Sequence, residues 1–424
     1  MKSLSRWAKR LTSFTAVLLL ATAAQTNFAS FDAPARAYLG EKPGRARNGT
    51  PEQMIVAAID DIRAGKMGDA RATVDALLDK QPNYRLAHLL SADLYAMRAV
   101  PLDKIGGAAS APADRLEDLR REALVRSKRE AAPPPLDQLP APLLVMSPKQ
   151  KNVILVDAGA SRIYIYANNN GVPRYVTDFY ATIGKLGMGK QVEGDQRTPL
   201  GVYFVTSHMP RAQMDKTMGA QAALYGVGAW PMSYPNEWDK RLGRTGHGIW
   251  LHGVPYDTYS RAPWASNGCV ALTNPEMLAV ADYLQIGTTP VVIVPKIEWL
   301  NQDAWRARNQ EAQQTLDGWR SAWENRDTRN YLAEYSRAFV SEDGQSFDKW
   351  AVQKASVNAG KLWAKVKLGD ISIFATGGDK PMWVTTFEQD YSSNNLNNRM
   401  RKRLYWQRDD AQWKIVWEGA AGAG

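Results

Sequence analysis

Between Ala131 and Pro142 the chain changes texture. Ala131-Ala132-Pro133-Pro134-Pro135, with Pro140 and Pro142 beyond, cannot continue a helix, because proline lacks the amide hydrogen and its ring clashes with the preceding turn. Before this stretch apolar residues recur at helical spacing; after it they fall into short strand-like runs. A domain boundary belongs here, and residues 129–148 are expected to form a semi-rigid linker of polyproline type. The length of 424 residues agrees with two to four domains.

Residues 51–128 read as a helical segment. Ile55, Ile59 and Ile62 fall on one face, Val74, Leu77 and Leu78 on the next, and Leu86, Leu89, Leu90, Leu94 and Met97 on a third. Gly65, Gly68 and Gln81-Pro82-Asn83 separate the runs. The pattern resembles tetratricopeptide helix pairs over about one and a half repeats. A helical hairpin that forms a homodimer or docks a partner fits it equally well. His88, among Leu86, Leu89 and Leu90, is expected as a packed helix residue.

Residues 149–298 read as mostly β. Val153 to Asp157 and Arg162 to Tyr166 suggest a hairpin, and Tyr175–Ile183, Val202–Thr206, Gly248–His252 and Pro290–Val294 further strands. Thr273-Asn274-Pro275-Glu276 opens a helix with a capping residue, an early proline and an acid, running to about Leu284. Glu298 to about Phe339 returns to helical spacing, with Trp305, Leu316, Trp319, Trp323, Tyr331, Leu332 and Tyr335. Strand-like stretches follow at 363–368, 371–375, 382–389, 401–408 and 413–417. Helix first and antiparallel sheet after, over 308–418, resembles the nuclear transport factor 2-like (NTF2-like) α+β cone. The aromatic stripe is expected as core, since aromatic residues carry much of a core's burial. A ligand pocket and a dimer face are both open readings of this domain.

Lys2, Arg6, Lys9 and Arg10 precede an apolar run from Leu11 to Ala24, with small-x-small sites at 21–23 and 35–37. This reads as a secretory signal over 1–23, with 37 as the outer limit of its end. An uncleaved N-terminal anchor is the alternative. Either way the rest of the chain is expected to be periplasmic or otherwise outside the cytoplasm. The formal net charge of +10 suits solubility, or attraction to an anionic wall or membrane surface. Nucleic acid is not an expected partner, since no basic cluster is interleaved with aromatics.

Cys269 is the chain's one cysteine, so it has no internal disulfide partner. A lone cysteine with a histidine elsewhere is a candidate nucleophile, because the thiolate needs an imidazole to form near neutral pH. Of four histidines, His247 and His252 lie near the cysteine segment. Five apart in a strand-like run, they point to opposite faces. His252, at the strand's end, is the expected base, and His247 is expected to be structural. Glycine at 268 lets the backbone approach closely, so amides of the turn can face a developing oxyanion. One cysteine and two histidines on opposite faces make no convergent ligand set, so no metal site is expected.

His252-Gly253, Ser266-Asn267-Gly268-Cys269 with Leu272-Thr273-Asn274, and the upstream Gly194-Asp195-Gln196-Arg197-Thr198-Pro199-Leu200-Gly201-Val202-Tyr203 together resemble the L,D-transpeptidase (YkuD) catalytic domain. The resemblance implies a β-sandwich-like fold and a Cys-His acyltransferase acting on peptidoglycan stem peptides, with neither a metal nor an organic cofactor. Cys269 would be the nucleophile, His252 the base, and Gly253 the carbonyl that orients the imidazole. Ser266, Asn267 and Gly268 would frame the oxyanion site. The usual histidine stands as Asn267, and the usual arginine two residues past the cysteine as Ala271. Arg197, Arg244 or Arg261 would then meet a substrate carboxylate. With a helical segment before it and an NTF2-like domain after, the chain also resembles cell-shape L,D-carboxypeptidases. Three readings follow: amine as acceptor, giving a transpeptidase; water as acceptor, giving a carboxypeptidase; or a non-catalytic peptidoglycan-binding scaffold.

Overall fold

The computed structural model describes residues 48–378 and 380–422. The expected signal segment lies outside the described residues. Among the described residues no helix is long and apolar enough to cross a membrane.

Four helices come first: α1 (Pro51–Arg63), α2 (Met67–Lys80), α3 (Arg85–Ala96) and α4 (Ala113–Ala131). The Thr50 hydroxyl accepts the Gln53 amide while the Gln53 side chain accepts the Thr50 amide, and Pro51 fills the first helical position. Ile55 and Ile59 of α1, Val74 and Leu77 of α2, Leu86 and Leu90 of α3 and Ala123 of α4 share one core. α4 runs past the expected boundary at 128. His88 is exposed rather than packed: its neighbours Leu86, Leu89 and Leu90 occupy the buried stripe, and its Nε2 lies 2.7 Å from the Pro82 carbonyl oxygen.

The expected linker is partly sheet. Gln138–Pro140 pairs with Trp299–Asn301, and Leu143–Val145 pairs with the first strand of the C-terminal sheet. Pro140 ends one strand and Pro142 precedes the next, positions that need no ladder donor. The segment is therefore a strap across both later domains rather than a free spacer.

The central domain is built on two sheets. The larger orders Val172–Tyr180, Arg162–Asn169, Asn152–Asp157, Pro290–Val294 and Gly201–Phe204, antiparallel except where Asn152–Asp157 meets Pro290–Val294. The smaller orders Val270–Ala271, Trp250–His252, Gly228–Pro231 and Met209–Pro210. Ile154, Val156, Ile163 and Ile293 face the smaller sheet, meeting Leu251, Val270 and Trp230. The alternate residues Val153, Leu155, Tyr164, Val292 and Val294 pack on Phe374, Val384, Tyr405 and Trp417 of the C-terminal domain. A sheet buried on both faces accounts for the unbroken apolar run Val153-Ile154-Leu155-Val156. The helix after Thr273 spans Asn274–Ala281, shorter than expected, and carries the expected capping box with Glu276.

The C-terminal domain carries helices Gln302–Glu324, Thr328–Ala333 and Phe347–Ala359 before strands Ala364–Thr376, Met382–Ser393, Asn397–Asp409 and Gln412–Ala420, paired antiparallel in sequence order. The long helix expected from Glu298 is broken. Residues 299–301 form a strand, and Arg326 adopts a φ of 57° at the turn between the first two helices. Trp319, Tyr331 and Tyr335 are buried with Phe387, Leu404 and Trp406, so the aromatic stripe is core.

Candidate active site

Cys269 sits on a turn held by two separated pieces of chain. Gly268 has a φ of 122°, and a Cβ there would come within 2.8 Å of the Arg197 carbonyl oxygen, so only glycine fits. The buried Ser266 straddles the turn: its Oγ donates to the Cys269 carbonyl at 2.6 Å and accepts from the Gly268 amide at 3.1 Å. Thr198, fully buried, donates to the Gly268 carbonyl at 2.9 Å and accepts from the Gly184 amide at 2.9 Å. The threonine of the upstream motif thus anchors the cysteine turn. Asp195 of the same motif closes its own loop, accepting from Lys190 Nζ at 2.8 Å and from the amides of Gln191, Val192 and Arg197. Against the burial that would raise it, these donors hold its carboxyl down to about 2.

Trp250–His252 runs parallel to Val270–Ala271, with Leu251 opposite Val270 and His252 opposite Ala271. Leu251 and Val270 face the core. By alternation His252 and Cys269 share the other face, their Cα atoms on a diagonal of about 8 Å. The sequence reading of opposite faces for His247 and His252 does not apply, because the strand begins only at Trp250. His247 is exposed, 3.5 Å from the Glu193 carboxylate, and forms no part of the core.

His252 Nδ1 lies 2.5 Å from the Gly253 carbonyl oxygen. A carbonyl only accepts, so Nδ1 carries the proton and Nε2 is the free base. Gly253 is fixed in turn by Asn274, whose Oδ1 accepts from the amides of Val227 at 3.2 Å and Val254 at 3.1 Å. A Cβ at Gly253 would come within 2.2 Å of that oxygen. The Tyr225 ring lies edge-on to the imidazole, 5.0 Å between centroids.

Burial pushes the His252 imidazole down to about 4, with the Gly253 bond opposing and the Arg261 cation adding to the shift. Burial pushes the Cys269 thiol up to about 11, against the pull of the Trp250 amide, Arg261 and Lys190. At neutral pH the resting pair is therefore a neutral thiol and a neutral imidazole. The Sγ donates to the Gly248 carbonyl at 3.4 Å.

The remaining expected residues separate. Asn267 is exposed beside the turn, and the Gly268 amide is engaged by Ser266. Arg197 is exposed and donates to the Met188 carbonyl. Arg244 is committed to Asp239 at 2.8 Å, in a network with Tyr203. Of the three arginines, only Arg261 acts electrostatically on both Cys269 and His252. Thr198 and Asn274 stood inside the motifs without an assigned task. Lys190, Tyr225 and the Trp250 amide carried no sequence signal.

Residues 151–293 match the L,D-transpeptidase catalytic domain, and residues 311–419 match the Cds6 C-terminal NTF2-like domain. The chain thus carries a catalytic domain of the L,D-transpeptidase type, with a helical region before it and an NTF2-like domain after it. Among solved structures it is similar to Bd1075 of Bdellovibrio bacteriovorus, at 28% identity and a TM-score of 0.58 over 68% of this chain and 99% of that one. It is also similar to the helical cell shape determining protein Pgp2 of Campylobacter jejuni, at 27% identity and a TM-score of 0.55 over 66% of this chain and 95% of that one. No protein of curated function matches the chain at a significant level.

Proposed function

We propose that the protein is a peptidoglycan-modifying cysteine acyltransferase. Its substrate is the stem tetrapeptide, cut between the L-configured centre of the third residue and the terminal D-alanine. The Cys269 thiol passes its proton to His252 Nε2 as Sγ attacks the carbonyl carbon. The Cys269 amide serves as oxyanion donor, since the Gly268 amide is already bonded. His252 then returns the proton to the departing D-alanine amine, leaving a thioester. An amine of a second stem gives a cross-link and frees the thiol; water gives a tripeptide and frees the thiol. The observation that carries this reading is the parallel pairing of Trp250–His252 with Val270–Ala271, which by alternation puts Cys269 and His252 on one face, with the imidazole tautomer set by Gly253.

The water reading has support of its own. The likeness to Pgp2, a helical cell shape determining protein, extends well beyond the catalytic domain, as trimming for cell shape rather than cross-linking would suit. The site of action is the wall outside the cytoplasm.

Incubation with disaccharide-tetrapeptide, with products resolved by mass, tests both readings. Loss of D-alanine alone supports the hydrolase. Dimers linked between third residues, or exchange with an added D-amino acid, support the transpeptidase. Cys269→Ala is expected to lower turnover by more than about a thousandfold with the fold intact. Binding to sacculi with no change of mass would leave only a scaffold.

A further inference from the structure

Ala271, opposite His252, presents a methyl group to a small crevice shared with Tyr180, Thr182, Tyr259 and Arg261. The Arg261 guanidinium is steadied by the Ala265 carbonyl at 3.1 Å. Its backbone is held from elsewhere. The Tyr180 hydroxyl donates to the Arg261 carbonyl at 2.7 Å, and the Tyr180 ring lies 4.1 Å from the Arg126 guanidinium of α4. Tyr259 packs on Tyr84, with ring centroids 4.7 Å apart. Ser260, buried, accepts the Leu86 amide of α3 at 2.9 Å.

The Ser260 contact is informative about direction. Tyr84 stands at the N-cap of α3 and supplies no side-chain cap. Its first-turn amides need an outside acceptor. Ser260 provides one from the catalytic domain, so helix start and active-site loop are defined by the same bond.

We propose that the helical segment is a positioning element of the active site: through Tyr259, Ser260 and Tyr180 it seats Arg261 in the crevice lined by Ala271, two residues along the chain from Cys269, where the strand itself offers only a methyl group. This rests on Cys269 and His252 as the acyl-transfer pair. Arg261 favours the thiolate that forms during attack, and Ser260, Tyr259 and Tyr180 act through it. The other groups that bear on the sulfur are Lys190, Tyr225, the Trp250 amide and the Gly248 carbonyl.

The test uses the full chain and follows the rate of Cys269 alkylation by iodoacetamide against pH, with kcat and KM on disaccharide-tetrapeptide in parallel. Arg261→Ala is expected to slow alkylation at pH 8 about fivefold and to move the profile to higher pH. Ser260→Ala moves it the same way by about twofold, and Ser260→Thr, which keeps a hydroxyl, restores it. The double variant goes no further than Arg261→Ala alone, because Ser260 acts through that cation. An unmoved profile in Ser260→Ala, or additive shifts in the double variant, overturns the proposal. Should Ser260→Ala fail to fold, Tyr180→Phe removes only the hydroxyl bonded to Arg261 and carries the same expectation. Absence of tetrapeptide turnover in the unaltered protein would count against the function proposed above, while the alkylation profiles still decide the role of Arg261.

Discussion

The catalytic domain is gripped on two sides by unlike means. Toward the C-terminal domain it offers chiefly one face of its larger sheet, where Leu155, Val292 and Val294 meet Phe374, Val384 and Trp417, with a buried ion pair, Arg403 to Glu237 at 2.7 Å, beside it. Toward the helical segment it offers charge. Arg162 bonds Glu52 at 2.6 Å and also Asp178; Arg129 bonds Asp178 at 2.6 Å; Arg126 bonds Glu52 and Glu122 at 3.0 Å each. The apolar grip is non-directional and scales with area. The charged grip depends on each partner's geometry, because a buried ion left alone is costly. Five of the buried side-chain atoms without a partner, on Tyr84, Glu122, Arg126, Ser127 and Arg162, cluster at the charged side. One side supplies stability, and the other specifies position next to the active site.

The comparison can be broken at its strongest point first. Phe374→Ala should cost about 3–5 kcal/mol and lower one common melting transition of the catalytic and C-terminal domains. Two separate calorimetric transitions would show that the sheet does not unite them. Glu52→Gln should cost about 3 kcal/mol by stripping two buried arginines of a charge, and should loosen α1 and α4 in hydrogen exchange before the sheets.

The charged side and the active site should also titrate in opposite senses. Burial raises Glu122 from its ordinary range to about 7, with Arg126 opposing. Its contribution is fully present below about pH 4.5 and is lost as pH rises through 7. His252 is depressed, so its contribution is present above about pH 6.5 and is lost as pH falls through 4. Glu122→Gln should therefore flatten the fall in stability between pH 4.5 and 7, read by urea melts across that range, and leave the acid limb in place. The smallest effect is expected from Arg308→Ala. It removes an exposed pair with Glu298, at 2.8 Å, and should change stability by less than about 1 kcal/mol. A larger loss would mean that charge rather than burial decides the difference.

Much of this was legible in the residues. The helical periods and the strand at 290–294 follow from local pattern, and Cys269 and His252 are candidates by motif. What escaped depended on partners distant in sequence. The strap at 138–145 was hidden because prolines mark a boundary without saying what lies across it. Arg244 looked available because its number is close to the motifs, yet Asp239 takes it. His88 sat among leucines but points to the exposed side of α3. Arg261 stood out only once Tyr180, Ser260 and two helices were placed around it. Thr198 was in plain view, but its bond to Gly268 joins residues seventy apart.

Because one sheet serves two cores, the catalytic domain has no independent outer wall on that side. A fragment cut after Val294 would turn Val153, Leu155, Val292 and Val294 into a surface prone to self-association. The C-terminal domain is therefore not a cassette that recombination can exchange freely. A replacement would have to bring the same apolar relief, so the catalytic domain and its companion are matched at that sheet.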